Sequence, residues 1–430
     1  MYTVAENRFI SKKARKLKAD RKFIFLMFLL LPVMAYFNID AKYTVVSLLF
    51  VAVFCYYYKN AGFKHIALSR GLMIWLLLTV YHWVNGMIKK VPEVDLLDLL
   101  HGFKIYACIV IFAYLARRSF QATIKALLVC FSVYLLLSFV VNDISSSSLH
   151  GRMSGVIYST QLGQTAALLG IYIAYYSVSK RLSLLQSACL YVLPLVVILL
   201  AQSRNGLAMM AIGIVGHAIA YAVQKGAKLA QTLVIVTLLT LLMFAAFNFV
   251  IDNTAIGSRL ADTDTAEMSN MNNNHLTNTV FDKIAGDRLV YYVLGWQFFV
   301  QSPWTGIGMW NFKYLSNGDY PLHSEYMIHL CEGGIIAAIL WLLFIITIIR
   351  GLLYSKQKLS IKIIAFFSIL EILFCGLYAR VFYYEFFYPV IGIAISLAYY
   401  NGSRRHKYSN RSLSYPGGDL PDPFKNIIHE

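Results

Sequence analysis

The stretch that decides the fold is HSEYMIHLCEGGIIAAILWLLFIITIIR, residues 323–350. From Gly333 to Ile349 it carries no charge, and Thr347 is its one polar side chain. An apolar run of roughly 17 to 25 residues is long enough to cross a bilayer as a helix. Lipid offers the backbone no hydrogen bonds, so a helix that satisfies its own amides is the form such a run takes. We read one span over 324–349. Its front is different. Glu325, His329 and Glu332 follow at spacings of four and three, which puts them on one helical face. Ionisable groups inside a membrane usually face a protein interior or a wet cavity. The stripe therefore lines a cavity, carries protons or bonds neighbouring helices.

Eleven further apolar segments surround this one: 23–39, 43–58, 71–88, 99–116, 124–141, 161–178, 184–200, 207–223, 230–250, 361–379 and 383–400. The expected fold class is an all-α polytopic membrane protein with about twelve transmembrane helices. Composition agrees: the 430 residues are 59% hydrophobic and 14% charged, where soluble domains carry about a quarter charged residues. The first segment leads into Tyr36 and Phe37, not into a small-residue cleavage site, and reads as an uncleaved span. All six cysteines fall in apolar segments, with no CxxC pair and no Cys/His ligand spacing. That pattern argues against a disulfide framework and a structural zinc.

The net charge of +17 is distributed as an orientation signal. With the N-terminus inside, the inward segments hold 27 of the 38 Lys and Arg residues. Both termini are expected to be cytoplasmic. The excess serves orientation and contact with anionic lipid, and nucleic acid is not an expected partner. The chain divides into a basic cytoplasmic tail (1–22), a transmembrane catalytic domain (23–400) and a polar cytoplasmic tail (401–430). Within the middle part, residues 251–322 form one large outward loop. Its second half changes character at Asp287-Arg288, and Leu289 to Val300 read as an aromatic-rich helix lying at the interface. Pro303-Trp-Thr-Gly306-Ile-Gly308 then turns the chain back.

Arginines on the outward side run against the orientation bias. Arg204 lies in the short turn Gln202-Ser-Arg-Asn-Gly206, where a guanidinium either forks onto a diphosphate or snorkels to lipid headgroups. Arg288 heads the interfacial segment, and the alternative for it is pairing with Asp287 or Asp282. Arg152 and Arg380 are weaker candidates, with Arg380 able to pair with Glu385. His323 is the best candidate base, since imidazole titrates near neutral pH and can take a proton from a sugar hydroxyl. His82 and His217 stand alone on apolar spans and read as packing residues. Arg204 follows seven spans, and Arg288 and His323 follow nine, so all three fall on the outward face.

These residues resemble the bacterial O-antigen ligase and O-antigen polymerase family. Its ligases carry a histidine followed by Asn, Ser or Gln, then nine residues, glycine, two residues and Gly, Thr or Tyr. Here His323-Ser324 is followed by nine residues, Gly334 and Ile335-Ile336, with Ala337 departing at the last place. Ser203-Arg204, Gly286-Asp-Arg288, Ser302-Pro303 and Tyr158-Ser-Thr160 also match, over roughly residues 150–400. The resemblance implies a GT-C-like membrane glycosyltransferase in the bacterial inner membrane with a periplasmic active site. Its donor would be a glycan on undecaprenyl diphosphate. Arg204 and Arg288 would hold the diphosphate, and His323 would deprotonate or orient the acceptor hydroxyl. Arg152, Ser324, Glu325 and Arg380 are the accompanying substrate-binding candidates. No metal and no cofactor are implied. A ligase transfers to a lipid A–core sugar; a repeat-unit polymerase of O-antigen or exopolysaccharide transfers to a second lipid-linked glycan. The His323-Ser324 spacing and the Arg204 turn favour the ligase. A flippase or transporter is the third reading, and the lack of an internal repeat counts against it.

Overall fold

A computed structural model describes residues 52–94, 101–140, 159–201, 203–227, 231, 234, 288–316, 322–381 and 384–399. Among these, 83% are helical and none lies in a strand. The expected all-α polytopic membrane fold is what the chain adopts. Nine of the twelve expected spans coincide with helices in the described residues. The segment 23–39, nearly all of 230–250, most of 43–58, the first part of the outward loop and both tails lie outside them.

Four helices build the first half of the bundle: α1 (Ala61–Ala67), α2 (Arg70–Ile88), α3 (His101–Arg118) and α4 (Phe120–Val140). Next come α5 (Ser159–Lys180), α6 (Leu184–Leu200) and α7 (Arg204–Gln224). The later part holds α8 (Arg288–Gln301), the short α9 (Asn311–Leu315), α10 (Glu325–Tyr354), α11 (Leu359–Gly376) and α12 (Tyr388–Ala398). Five of them, α2, α4, α7, α10 and α11, are long and apolar enough to cross a membrane.

The core is built around α3 and α12. Every residue of α3 from Lys104 to Ala116 is buried, and so is all of α12. Gly392 lets them touch: a methyl group there would lie 2.6 Å from Phe112 Cβ. The outer helices carry exposed large apolar side chains, among them Leu77, Val84, Leu136, Leu199, Leu342 and Leu343. In water such a surface would drive association; against lipid tails it is the matching solvent.

Local chemistry starts the helices where they are needed. Ser183 and Gln186 form a reciprocal capping box at the start of α6, which satisfies two otherwise orphaned amides. Ser203 caps α7 by accepting from Gly206 N at 3.1 Å. The start of α7 is wedged against α5, where a methyl on Gly206 would fall 2.6 Å from the Gly163 carbonyl oxygen. Farther along, α7 runs antiparallel to α11. Methyl groups on Gly213 and Gly216 would meet Glu371 Oε1 and Phe367 Cβ, each at 2.5 Å.

One expectation is corrected. Residues 324–349 read as an uninterrupted span, but α10 is broken near its start. After one turn of α-helix, Ile328–Glu332 form a π-helical turn, and Gly334 adopts φ 67, ψ −168. The cause lies in another segment of the chain, which enters the break.

Candidate functional site

The segment that enters is Pro303–Gly308. In an unbroken helix the amides of Ile335 and Ile336 would bond the carbonyls of Cys331 and Glu332. Instead Ile335 N donates to Pro303 O at 2.8 Å and Ile336 N to Trp304 O at 3.4 Å. The two released carbonyls are taken up in turn. Ile307 N donates to Cys331 O at 2.9 Å and Gly308 N to Glu332 O at 3.0 Å. These four backbone groups thus find partners, as burial requires. Gly306 and Gly334 both have positive φ and both lie in backbone contact, so a side chain is excluded twice over.

The C-terminal end of α2 fastens this loop. Asn85 Nδ2 donates to Thr305 O at 2.7 Å and to Glu332 O at 3.1 Å. Lys89 Nζ donates to Thr305 Oγ1 at 2.5 Å, to Ser302 Oγ at 3.2 Å and to the Gly306 carbonyl. Burial lowers the Lys89 pKa from the ordinary lysine value.

Against the first turns of α10 lies a small, mainly apolar cavity with several polar side chains in its wall. It encloses about 60 Å³ and is lined by Trp75, Thr79, His82, Glu325, His329 and Arg380, among others. Glu325 and His329 of the expected stripe are on its wall. His329 Nε2 lies 3.2 Å from Glu325 Oε1, and His329 Nδ1 lies 3.1 Å from His82 Nε2. His82 can donate to His329, whereas His329 Nε2 lies near Glu325 without bonding it. The reading of His82 as an isolated packing residue is therefore corrected. Its partner is 247 positions away, so no sequence window contained the signal. His217 pairs with Tyr191, whose hydroxyl lies 3.0 Å from His217 Nδ1, and it lines no part of this cavity.

Arg380 forms another part of the wall. It is buried, donates from Nε to the Leu322 carbonyl and stacks 5.0 Å from the centre of the Trp310 ring. Trp310 itself has φ 72, a left-handed conformation that non-glycine residues seldom adopt. The buried Glu332 carboxylate lies by the Arg380 guanidinium and the amides of Trp310 and Phe312.

His323 stands half-buried just ahead of α10, between Leu322, which Arg380 holds, and Ser324. Ser324 is buried, caps α10 by accepting from Met327 N at 3.4 Å, and lies 3.4 Å from the Gly376 carbonyl. Its hydroxyl thus anchors the approach to His323. The first turns of α8 reach the same place: Tyr292, one helical turn after Arg288, donates its hydroxyl to the Leu377 carbonyl. Arg204, half-buried, heads α7. By the Gly213–Glu371 register and a rise of about 1.5 Å per residue, it lies level with the turn that follows Gly376. The neighbours Ser324 and Tyr292 both contact the end of α11. Arg152 lies outside the described residues.

The comparison with known families matches residues 189–342 to a family model described as O-antigen ligase. The matched stretch contains Arg204, Arg288, His323, Ser324 and Glu325; it leaves out His82, Lys89 and Arg380. No curated protein matches the chain.

Proposed function

We infer that this chain, which carries an O-antigen ligase family region over residues 189–342, is an inverting membrane glycosyltransferase. It moves a glycan from undecaprenyl diphosphate to a lipid A–core sugar hydroxyl at the periplasmic face of the inner membrane. The observation that carries this reading is the shared anchor at the end of α11. Ser324, next to His323, reaches the Gly376 carbonyl, and Tyr292, four residues after Arg288, reaches the Leu377 carbonyl.

Arg204 adds a second reason. It opens α7, where the helix end already carries about half a positive charge. A guanidinium there is unfavourable by itself and favourable once an anion docks. A diphosphate suits the place, since a guanidinium forks onto phosphate oxygens. In the proposed step the acceptor oxygen attacks the anomeric carbon and gives its proton to His323. The bond from that carbon to the diphosphate oxygen breaks, and the electron pair leaves with undecaprenyl diphosphate. Arg204 and Arg288 stabilise that departing charge, the task a metal ion performs in other transferases, so no metal or cofactor is invoked. Attack opposite the leaving group inverts the configuration.

The products of a deletion strain test the reading. Loss of a ligase leaves lipid-linked polymer of normal length and lipid A–core without it. A core capped by a single repeat unit would instead assign the protein as the polymerase. Lipid-linked repeats held on the cytoplasmic leaflet would mark a transporter and overturn the enzyme assignment.

A further inference from the structure

We propose that the cavity walled by Glu325, His329 and Arg380 is the acceptor subsite, that it takes the hydroxyl-bearing edge of the acceptor sugar, and that His82 helps to choose that sugar. The proposal rests on the glycosyltransferase reading above and deepens it.

Size sets the class of guest. About 60 Å³ holds a few waters but not a whole pyranose. It fits one edge of a sugar ring, carrying one or two hydroxyls. The lining suits that guest. Trp75 and Trp310 offer apolar surface for the ring's C–H groups, while Thr79, Glu325, His329 and Arg380 supply polar partners. Pockets that orient small polar ligands combine these two elements.

The polar chain is held in place before a substrate arrives. His82 holds His329 by a hydrogen bond of 3.1 Å, and His329 Nε2 lies 3.2 Å from the Glu325 carboxylate without bonding it. A carboxylate offers about four lone-pair sites, so Glu325 can accept from a sugar hydroxyl beside His329. Arg380 is fixed independently, by the Leu322 carbonyl and the Trp310 ring. Groups ordered in advance bind without a further entropy cost.

Stability gives no reason for this set. Buried ionic groups are often no better for a fold than apolar residues of the same volume, and inside a membrane they mark function by default. Position then separates the roles. His323, Arg204 and Arg288 all lie in the matched family region, whereas His82, Thr79, Trp75 and Arg380 lie outside it. The donor grip belongs to the family segment, and much of the acceptor wall comes from elsewhere in this chain. His82 acts through His329 and is a positioning residue.

The test uses the purified full-length protein in lipid nanodiscs with undecaprenyl diphosphate-linked glycan as donor. One arm uses O-chain-free lipid A–core as acceptor, and the other a second molecule of the lipid-linked glycan. Glu325→Gln and His82→Leu should raise the acceptor KM about ten- to hundredfold, the cost of one lost hydrogen bond to a charged group. Donor Kd should stay within about twofold of wild type, and so should kcat at saturating acceptor for His82→Leu. The arm in which KM moves identifies the acceptor. A folded variant with unchanged acceptor KM overturns the proposal, as does one that loses donor affinity instead. Should the polar variants fail to fold, Thr79→Met, which fills the cavity without touching the chain, must raise acceptor KM by itself; otherwise the cavity is not the subsite. Absence of transfer by the wild-type protein in both arms would overturn the glycosyltransferase reading itself, a result distinct from an unmoved KM.

Discussion

Gly306 and Glu332 lie in direct backbone contact: a methyl group on Gly306 would fall 2.4 Å from the Glu332 carbonyl carbon. This contact is the point at which the Pro303–Gly308 loop enters the broken helix. It links the turn after α8 to the π-helical turn of α10, and through that turn to the cavity wall.

Gly306→Ala should therefore be severely destabilising. The left-handed backbone alone costs a non-glycine residue about 1–2 kcal/mol, and here backbone must also move. Gly226 supplies the comparison, with φ 76 and nothing within 4 Å of its added methyl. Thermal unfolding in detergent should show a small loss for Gly226→Ala and a much larger one for Gly306→Ala. Equal losses would mean that the loop does not hold the break.

Lys89→Met should loosen the same loop from the other side. It removes three donated hydrogen bonds, each worth up to about 1.5–3 kcal/mol when charged, less here because Lys89 is partly exposed. Hydrogen exchange of the Ile307 and Gly308 amides should quicken, while amides in the core of α3 keep their protection. Unchanged exchange at both loop amides would show that Lys89 is dispensable.

His323→Ala should reach the membrane at normal abundance and lose about a hundredfold to ten-thousandfold in transfer rate, the range for a missing general base. His323 is half-buried and ahead of the helix, so its removal opens no core cavity. Near-normal turnover in a purified assay would remove it from the mechanism.

Arg204→Lys should weaken donor binding, and Arg204→Ala should weaken it further. Lysine keeps the charge but not the planar fork that grips two phosphate oxygens. Binding of undecaprenyl diphosphate-linked glycan is the measurement. A wild-type Kd for Arg204→Ala would leave this arginine as a contact to lipid headgroups.

Orientation is checked with single cysteines at Asn272 and Ser409 in a cysteine-free variant. An impermeant reagent should label position 272 in cells with a permeabilised outer membrane and leave 409 unlabelled. Labelling of both, or the reverse pattern, would contradict the inside-to-outside alternation on which the shared outward site depends.

Much of this fold was legible in one dimension because its signals are local. Span length and apolarity are properties of consecutive residues, and lipid leaves such a run little choice but a helix. The pairing of Glu325 with His329 is equally local, since helical spacing puts the two on one face, whereas the π-helical turn leaves Glu332 off the cavity wall. Loop charge assigns the arginines and His323 to one side by a count alone, an expectation that the cysteine labelling above tests. What the tertiary structure decided depends on residues far apart in the chain. Nothing near His82 announces His329, and nothing within 324–349 announces that Pro303–Gly308 will replace its hydrogen bonds. Gly333-Gly334 permitted a break, but a glycine pair is also tolerated in a packed helix; the incoming carbonyls of Pro303 and Trp304 made the break stable. Arg380 likewise turned inward to Leu322 and Trp310, because a buried guanidinium is settled by whichever acceptors folding brings within reach. Helices follow from the local cost of an unbonded backbone in lipid, whereas the cavity exists because distant segments exchanged their bonds.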